Sequence, residues 1–292
     1  MSLFLFLSQL MNGLLDGFYY MMIAIGLSLI FSLGGIVNLA HGAFFALGAY
    51  IAYALIPVVG HFPALVLAPL IVALLGVVVE RLLFTRFYRA DPIYSLLLTF
   101  ALAMVIEQSL RWTFGAAPVA FNIPDALKGQ VFLGDFIYSR YRLFLMAVAI
   151  ASVAALWVLL NRTAFGRIVR AGIQNPDILA AMGISLRPYL SAVAGIAIGM
   201  AGLAGALMAP ILPVHPSMGG EVLTAAFVVV VIGGLGSFWG VVAAALLVGL
   251  VKGVVIALGA PAWSMSAIYL LMFAILLLRP RGLMGERILR FE

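Results

Sequence analysis

Runs of apolar residues, each about as long as a bilayer is thick, follow one another along nearly the whole chain, and they decide the fold class before any motif is read. They lie near residues 13–33, 36–57, 63–83, 92–114, 142–160, 187–212, 221–236, 238–259 and 263–279. A helix needs about 20 apolar residues to cross a hydrocarbon core, and its backbone groups must there bond to one another. With 66% hydrophobic and only 9% charged residues, the 292-residue chain lacks the polar surface of a water-soluble fold. The expectation is an all-α, polytopic transmembrane bundle, a single membrane domain over residues 1–292. A transmembrane barrel needs short segments that alternate apolar with polar, whereas Leu143 to Leu160 is apolar all round.

Charge sets the orientation. Arg81, Arg86 and Arg89 follow the third run, Arg162, Arg167, Arg170 and Arg187 flank the loop after the fifth, and Arg279, Arg281, Arg287 and Arg290 crowd the C-terminus. These are 11 of the 16 basic residues, and with nine crossings all fall on one side, which the positive-inside rule makes the cytoplasm. The N-terminus is then outside and the C-terminus inside. The count becomes eight if 36–57 or 221–236 dips in and returns, since both adjoin glycine-rich breaks. The external loop from about Gly115 to Arg140 mixes charges of both signs, with Val131 to Leu133 as a small strand. The first 30 residues lack a basic n-region and a small-residue cleavage site, so no removable signal peptide is read. The chain has no cysteine, which excludes disulfides and thiolate metal sites. Its net charge of +6 is scattered over loops and does not form a nucleic-acid surface.

Two glycine-broken stretches divide the chain: Gly34-Gly35-Ile36-Val37-Asn38-Leu39-Ala40-His41-Gly42, and Gly233-Gly234-Leu235-Gly236-Ser237-Phe238-Trp239-Gly240. Irregular backbone at membrane depth is tolerated only where protein or water covers it, so interrupted helices in matching positions point to a translocation pathway. Glycines that merely permit close helix packing are the competing explanation. Asn38 and His41 bring donors and acceptors to the first break. The second lacks the Lys-Ser or Lys-Thr of a phosphate loop.

No catalytic or metal-binding set is visible, because His41, His61 and His215 sit in separate segments and no carboxylates cluster. Glu107 and Arg111 are spaced i, i+4 and read as an intramembrane ion pair, with Glu107 in a proton or substrate path as the functional alternative. Lys252 reads as a side chain snorkelling to an interface, and Asp16 and Glu80 as boundary anchors. The stretch Asn161 to Arg187 is the longest polar, Arg-bearing interruption. Within it Asn175-Pro176 starts a turn, Asp177-Ile178-Leu179-Ala180-Ala181-Met182 reads as a short helix, and Gly183 ends it. Ile178, Leu179 and Met182 fall on one face that nothing in the chain is obliged to cover, suited to a partner's groove.

The order of these elements resembles a known family. Ala24 to Phe31, Val37-Asn38-Leu39-Ala40-His41-Gly42, Gly48-Ala49-Tyr50, Leu97-Leu98-Thr99 through Trp112-Thr113-Phe114-Gly115, Phe165-Gly166-Arg167 through Met182-Gly183-Ile184, Gly233-Gly234-Leu235-Gly236-Ser237 and Arg279-Pro280-Arg281-Gly282-Leu283 are similar to the integral-membrane permeases of branched-chain amino acid ABC importers. The resemblance implies a second permease subunit, usually a non-identical paralogue, two cytoplasmic ATPases and a periplasmic solute-binding protein. It also implies an inner-membrane location, with ATP and magnesium held by the ATPases and no cofactor in this chain. Asp177 to Gly183 would be the segment that couples to an ATPase, although Ile178-Leu179-Ala180-Ala181 departs from the fuller Glu-Ala-Ala pattern of some importer permeases. Asn38, His41, Gly34, Gly35, Gly42, Gly233, Gly234 and Gly236 are the candidate pathway residues. The same family pattern serves permeases for urea, short amides and aromatic acids. A proton-coupled carrier working through Glu107, Lys252 or His41, and a passive channel, are the readings from other classes.

Overall fold

A computed structural model describes residues 3–88, 90–133 and 136–285; Arg89, Arg287 and Arg290 of the sequence analysis lie outside them. The chain forms α1 (Leu3–Gly34), α2 (His41–Val59), α3 (His61–Leu82), α4 (Pro92–Phe114), β1 (Gln130–Leu133), β2 (Phe136–Ser139), α5 (Arg140–Arg162), α6 (Ala164–Gln174), α7 (Pro176–Ala181), α8 (Arg187–Met208), α9 (Met218–Gly233), α10 (Phe238–Ala257) and α11 (Ser264–Leu278). Eight of the described helices are long and apolar enough to cross a membrane, and α9 is apolar but shorter. Together they form the polytopic helical bundle that the apolar runs implied. The expected strand is one arm of a small antiparallel hairpin, with Gln130 opposite Ser139.

Several boundaries differ from the sequence reading. Helix α1 starts ten residues before the first apolar run, because Gly13 does not break it. Gly13 and Gly17 on α1 instead face Gly249, Gly253 and Ala245 on α10 so closely that no Cβ would fit. This is the small-xxx-small solution to packing in lipid, where close backbone approach replaces the hydrophobic drive available in water. The same device joins α2 to α8 through Gly48, Gly202 and Gly205, and α8 to α3 through Gly195 and Gly199. Helices α1 and α8 form the centre, while α4 and α11 are mostly peripheral.

The paired contacts also sort the helix ends. Asn12 of α1 meets Tyr138 and Arg142 beside the hairpin, and Tyr141 donates to the Leu207 carbonyl at 2.6 Å. At the other end Ser28 accepts from the Gly236 amide at 3.3 Å, and Gly234 packs on Arg281 and Gly285. The start of α1 and the turn after α11 therefore lie at opposite ends of the bundle. The stretch 161–187, read as a loop with one short helix, is two helices, α6 and α7. Its polarity is one face of an amphipathic α6, whose Gly166, Val169 and Gly172 are buried.

Packing at the α1–α10 contact predicts a sharp contrast. Gly249→Val should lower the detergent melting temperature by several degrees or abolish monodisperse protein, since overpacking costs typically about 1–3 kcal/mol. Gly220→Ala, at an α9 position with open space around it, should leave the melting curve unchanged within about one degree.

Candidate functional site

The first glycine break is not a surface turn. After Gly34 the chain takes a positive φ of 67° at Gly35, runs without regular structure to Ala40, and re-enters a helix at His41 with both Asn38 and His41 fully buried. The His41 Nε2 lies 3.1 Å from the Ile23 carbonyl oxygen, and a Cβ on Gly26 would touch both His41 and the Ala197 carbonyl. Ile23 is 11 residues short of the end of α1, about 16 Å along the axis. Ala197 is 10 residues into α8, about 15 Å from its start. Helix α2 thus begins deep inside the bundle, and the segment read as 36–57 is an irregular link followed by a helix.

A second helix starts at the same depth. Gly42 and Gly219 press backbone to backbone, so the amino-terminal turns of α2 and α9 meet in the interior. Both carry the partial positive charge of a helix N-terminus. The Asn38 Oδ1 accepts from the Ala40 amide at 3.0 Å, and Thr99 donates to the Val37 carbonyl at 3.0 Å. The Asn38 Nδ2 and the His41 Nδ1 have no protein partner despite full burial. Buried polar atoms of this kind are rare in folded chains.

The second break lies one to two turns further along α1. Gly233 and Gly240 are in backbone contact, the positive φ of Gly234 and Gly236 turns the chain, and Leu283 donates to the Ile232 carbonyl at 2.7 Å. A cavity of about 130 Å³ opens beside it, lined by Ser28, Ser32, Asn161, Arg170, Gly236 and Phe238 among others. The two breaks do not share one pocket; they flank α1, with His41 against Ile23 and Gly236 against Ser28 and Ser32.

At the same end, α6 packs along α5 and the end of α1, held by Arg170 bonds to the Leu160 carbonyl and, at 2.9 Å, to the Asn161 side chain. Asn175 caps α7, its Oδ1 accepting from the Asp177 and Ile178 amides at 3.1 Å each. Gly183, at φ 76°, ends it. Ile178 and Met182 are 59% and 69% exposed, but Leu179 is buried, so the expected three-residue face is a two-residue one. Leu179 instead anchors α7 to its own chain.

The ionisable groups are more committed than the sequence suggested. Glu107 and Arg111 pair at 2.8 Å. Lys252 and Asp16, read separately as a snorkelling side chain and a boundary anchor, pair with each other at 2.7 Å between α10 and α1, with the ammonium 5.6 Å from the Tyr20 ring centre. Glu80, also read as an anchor, is only 2% exposed and accepts from Tyr88 at 2.8 Å and from Ser191 of α8. Beyond the membrane spans, burial beside Glu80 pushes the Tyr88 hydroxyl well above its usual pKa. Among the described residues no three metal-ligating side chains cluster.

A family profile described as branched-chain amino acid transport system / permease component matches residues 9–276. The chain belongs to this family. The high-affinity branched-chain amino acid transport system permease protein BraD of Pseudomonas aeruginosa is 25% identical over 301 residues, covering 96% of each chain. The LivH proteins of Salmonella typhimurium and Escherichia coli, which carry the same description, are 25% and 24% identical with the same coverage. Among solved structures, PsaBC from Streptococcus pneumoniae in complex with Fab superposes with a TM-score of 0.48 at 11% identity, over 92% of this chain and 91% of that one. As a permease of this family the chain is a multi-pass membrane transport subunit.

The half-buried Asp16–Lys252 pair predicts a non-additive cycle. Removing one partner strands a charge in apolar surroundings, whereas removing both is milder. Lys252→Ala should therefore destabilise the purified protein more than the double variant Asp16→Asn with Lys252→Ala, as read by thermal unfolding in detergent.

Proposed function

We propose that this chain is one permease subunit of an ABC importer that carries branched-chain or similar aliphatic amino acids into the cytoplasm by alternating access. The observation that carries the reading is the capped α7, which presents Ile178 and Met182 to solvent at the end of the bundle where the arginine clusters lie. An amphipathic helix that leaves two large apolar side chains uncovered suits insertion into a groove on a soluble partner. Two cytoplasmic ATPases would bind there, a second permease would complete the pathway, and a periplasmic binding protein would deliver substrate to the hairpin end. ATP and magnesium would be held by the ATPases. The basic clusters favour an inner-membrane orientation with the N-terminus periplasmic and the C-terminus cytoplasmic.

Within the pathway, the meeting point of α2 and α9 supplies what a zwitterion needs: Asn38 and His41 atoms without protein partners and two helix N-termini suited to a carboxylate. Gly42 permits the contact, Gly34 and Gly35 permit the break, and Gly233, Gly234 and Gly236 form the matching break beside α6. Nucleotide-driven movement of α7 would be transmitted through α6 to the cavity at Ser28 and Gly236. The ATPases shift the two states only by their differential affinity for them.

Affinity purification from the native membrane in mild detergent tests the assembly. Two nucleotide-binding subunits and a second permease are expected; recovery of this chain alone, with uptake intact in liposomes and sensitive to the proton gradient, would replace the importer with a carrier. ATP-driven uptake of leucine, urea and benzoate by the complete system tests the substrate, with leucine expected to be preferred. Met182→Asp should weaken ATPase co-purification at least about tenfold while leaving chain yield unchanged, since it charges an exposed apolar anchor. His41→Ala and Asn38→Ala should lower uptake more than assembly; normal uptake by both would remove them from the pathway.

A further inference from the structure

Most outward-facing surface of the spans is apolar, as lipid requires: Leu67, Leu70 and Leu74 on α3, and Phe273 and Leu277 on α11, are exposed. Helix α9 breaks that rule. Ser217, just before it, and Gly220, Glu221 and Thr224 within it are exposed, and their i, i+3, i+4, i+7 spacing puts them on one stripe. The opposite face of the same turns, Met218, Gly219, Val222 and Ala225, is buried in the bundle. Because Gly219 touches Gly42 next to His41, this stripe lies at the depth of the first break. A carboxylate at that depth cannot face hydrocarbon without a large cost.

Glu221 also differs from the other described acids. Asp16, Glu107 and Asp125 have ion-pair partners, Glu80 is bound by hydroxyls, Asp91 caps α4, and Asp177 stands on the exposed α7. The Glu221 side chain has no hydrogen bond or ion pair within the described residues, and it sits in the first turn of α9. Across the Gly42–Gly219 contact lie the Asn38 Nδ2 and the His41 Nδ1, which also lack protein partners. Polar groups without partners thus flank the one junction where α2 and α9 begin.

We propose that the α9 stripe lines the translocation pathway and that the Glu221 carboxylate is the subsite for the ammonium group of the transported amino acid. This deepens the reading given under Proposed function and rests on it. A carboxylate there attracts a zwitterion's ammonium, repels an aromatic acid anion and is indifferent to urea, so it contributes selectivity inside the membrane, after the binding protein has released its cargo. Small neighbours at Ser217, Gly220 and Thr224 leave room for the substrate beside it.

The test uses the complete importer in liposomes, with ATP-driven uptake of L-leucine by the wild type, Glu221→Gln and Glu221→Asp, and 4-methylpentanoate as a competitor that lacks the ammonium group. Glu221→Gln should lower leucine uptake at least about tenfold, with ATPase docking and recovery of the second permease unchanged. Glu221→Asp should keep much of the activity, and 4-methylpentanoate should compete better in Glu221→Gln than in the wild type. Wild-type leucine uptake in Glu221→Gln would overturn the proposal. Loss of the second permease from Glu221→Gln would also overturn it, by assigning the carboxylate to a fixed contact between subunits. If the wild type itself carries urea and not leucine, the substrate class falls first, and unchanged urea flux in Glu221→Gln would remove the ammonium subsite as well.

Discussion

Backbone that leaves a helix inside a membrane must be covered by protein or water, since hydrocarbon offers nothing to an N–H or a C=O. Both interrupted regions of this permease obey that constraint through glycine. Gly42 against Gly219, and Gly233 against Gly240, bring backbones together with no side chain between them. The irregular link 35–40 can then lie beneath α1, α4 and α8, with the carbonyls of Val37, Asn38 and Ala40 met by the Thr99 hydroxyl and by the His41 and Phe44 amides. Larger residues at these positions would force the segments apart and expose the link.

The same close packing connects α7 to the interior. Helix α7 leads into α8 within a few residues, and one turn into α8 Ser191 donates to Glu80. Glu80 in turn accepts from Tyr88, whose ring fills the space beside Gly34 where the first break begins. Helix α6 lines the cavity at the second break directly through Val169, Arg170 and Ile173. A displacement of the α6–α7 unit therefore has contiguous packed routes to both breaks, the physical requirement for two rigid arrangements of one bundle. The paired charges Asp16 and Lys252 fix α1 to α10, so that contact is suited to move as a unit.

Apolar periods longer than about 18 residues gave the membrane class, the helical fold and most of the spans, because transfer to lipid is a local property of a segment. Charge clusters and glycine-rich breaks were equally visible, and so was the capped helix α7, since Asn175-Pro176-Asp177 and Gly183 act on their own neighbours. What was misread depended on distant partners. Gly13 looked like a boundary until α10 supplied Gly249, and Lys252 looked like a snorkelling side chain until α1 supplied Asp16. Leu179 looked free until the chain folded back on it. Glu221 carried no sequence signal of its own, because a lone acid at the head of an apolar run reads as a boundary.

The sequence by itself determined which segments are apolar enough to enter the membrane, where helices break and where the short capped helix α7 lies, all consequences of local hydropathy, propensity and charge. Only the tertiary structure decided that the helices beginning at His41 and Met218 meet in the interior, that Asp16 belongs to Lys252, and that Glu221 faces outward from the bundle at that depth. Those facts follow from which helix faces pack together, and close approach in lipid is selected by complementary small residues on segments far apart in the chain.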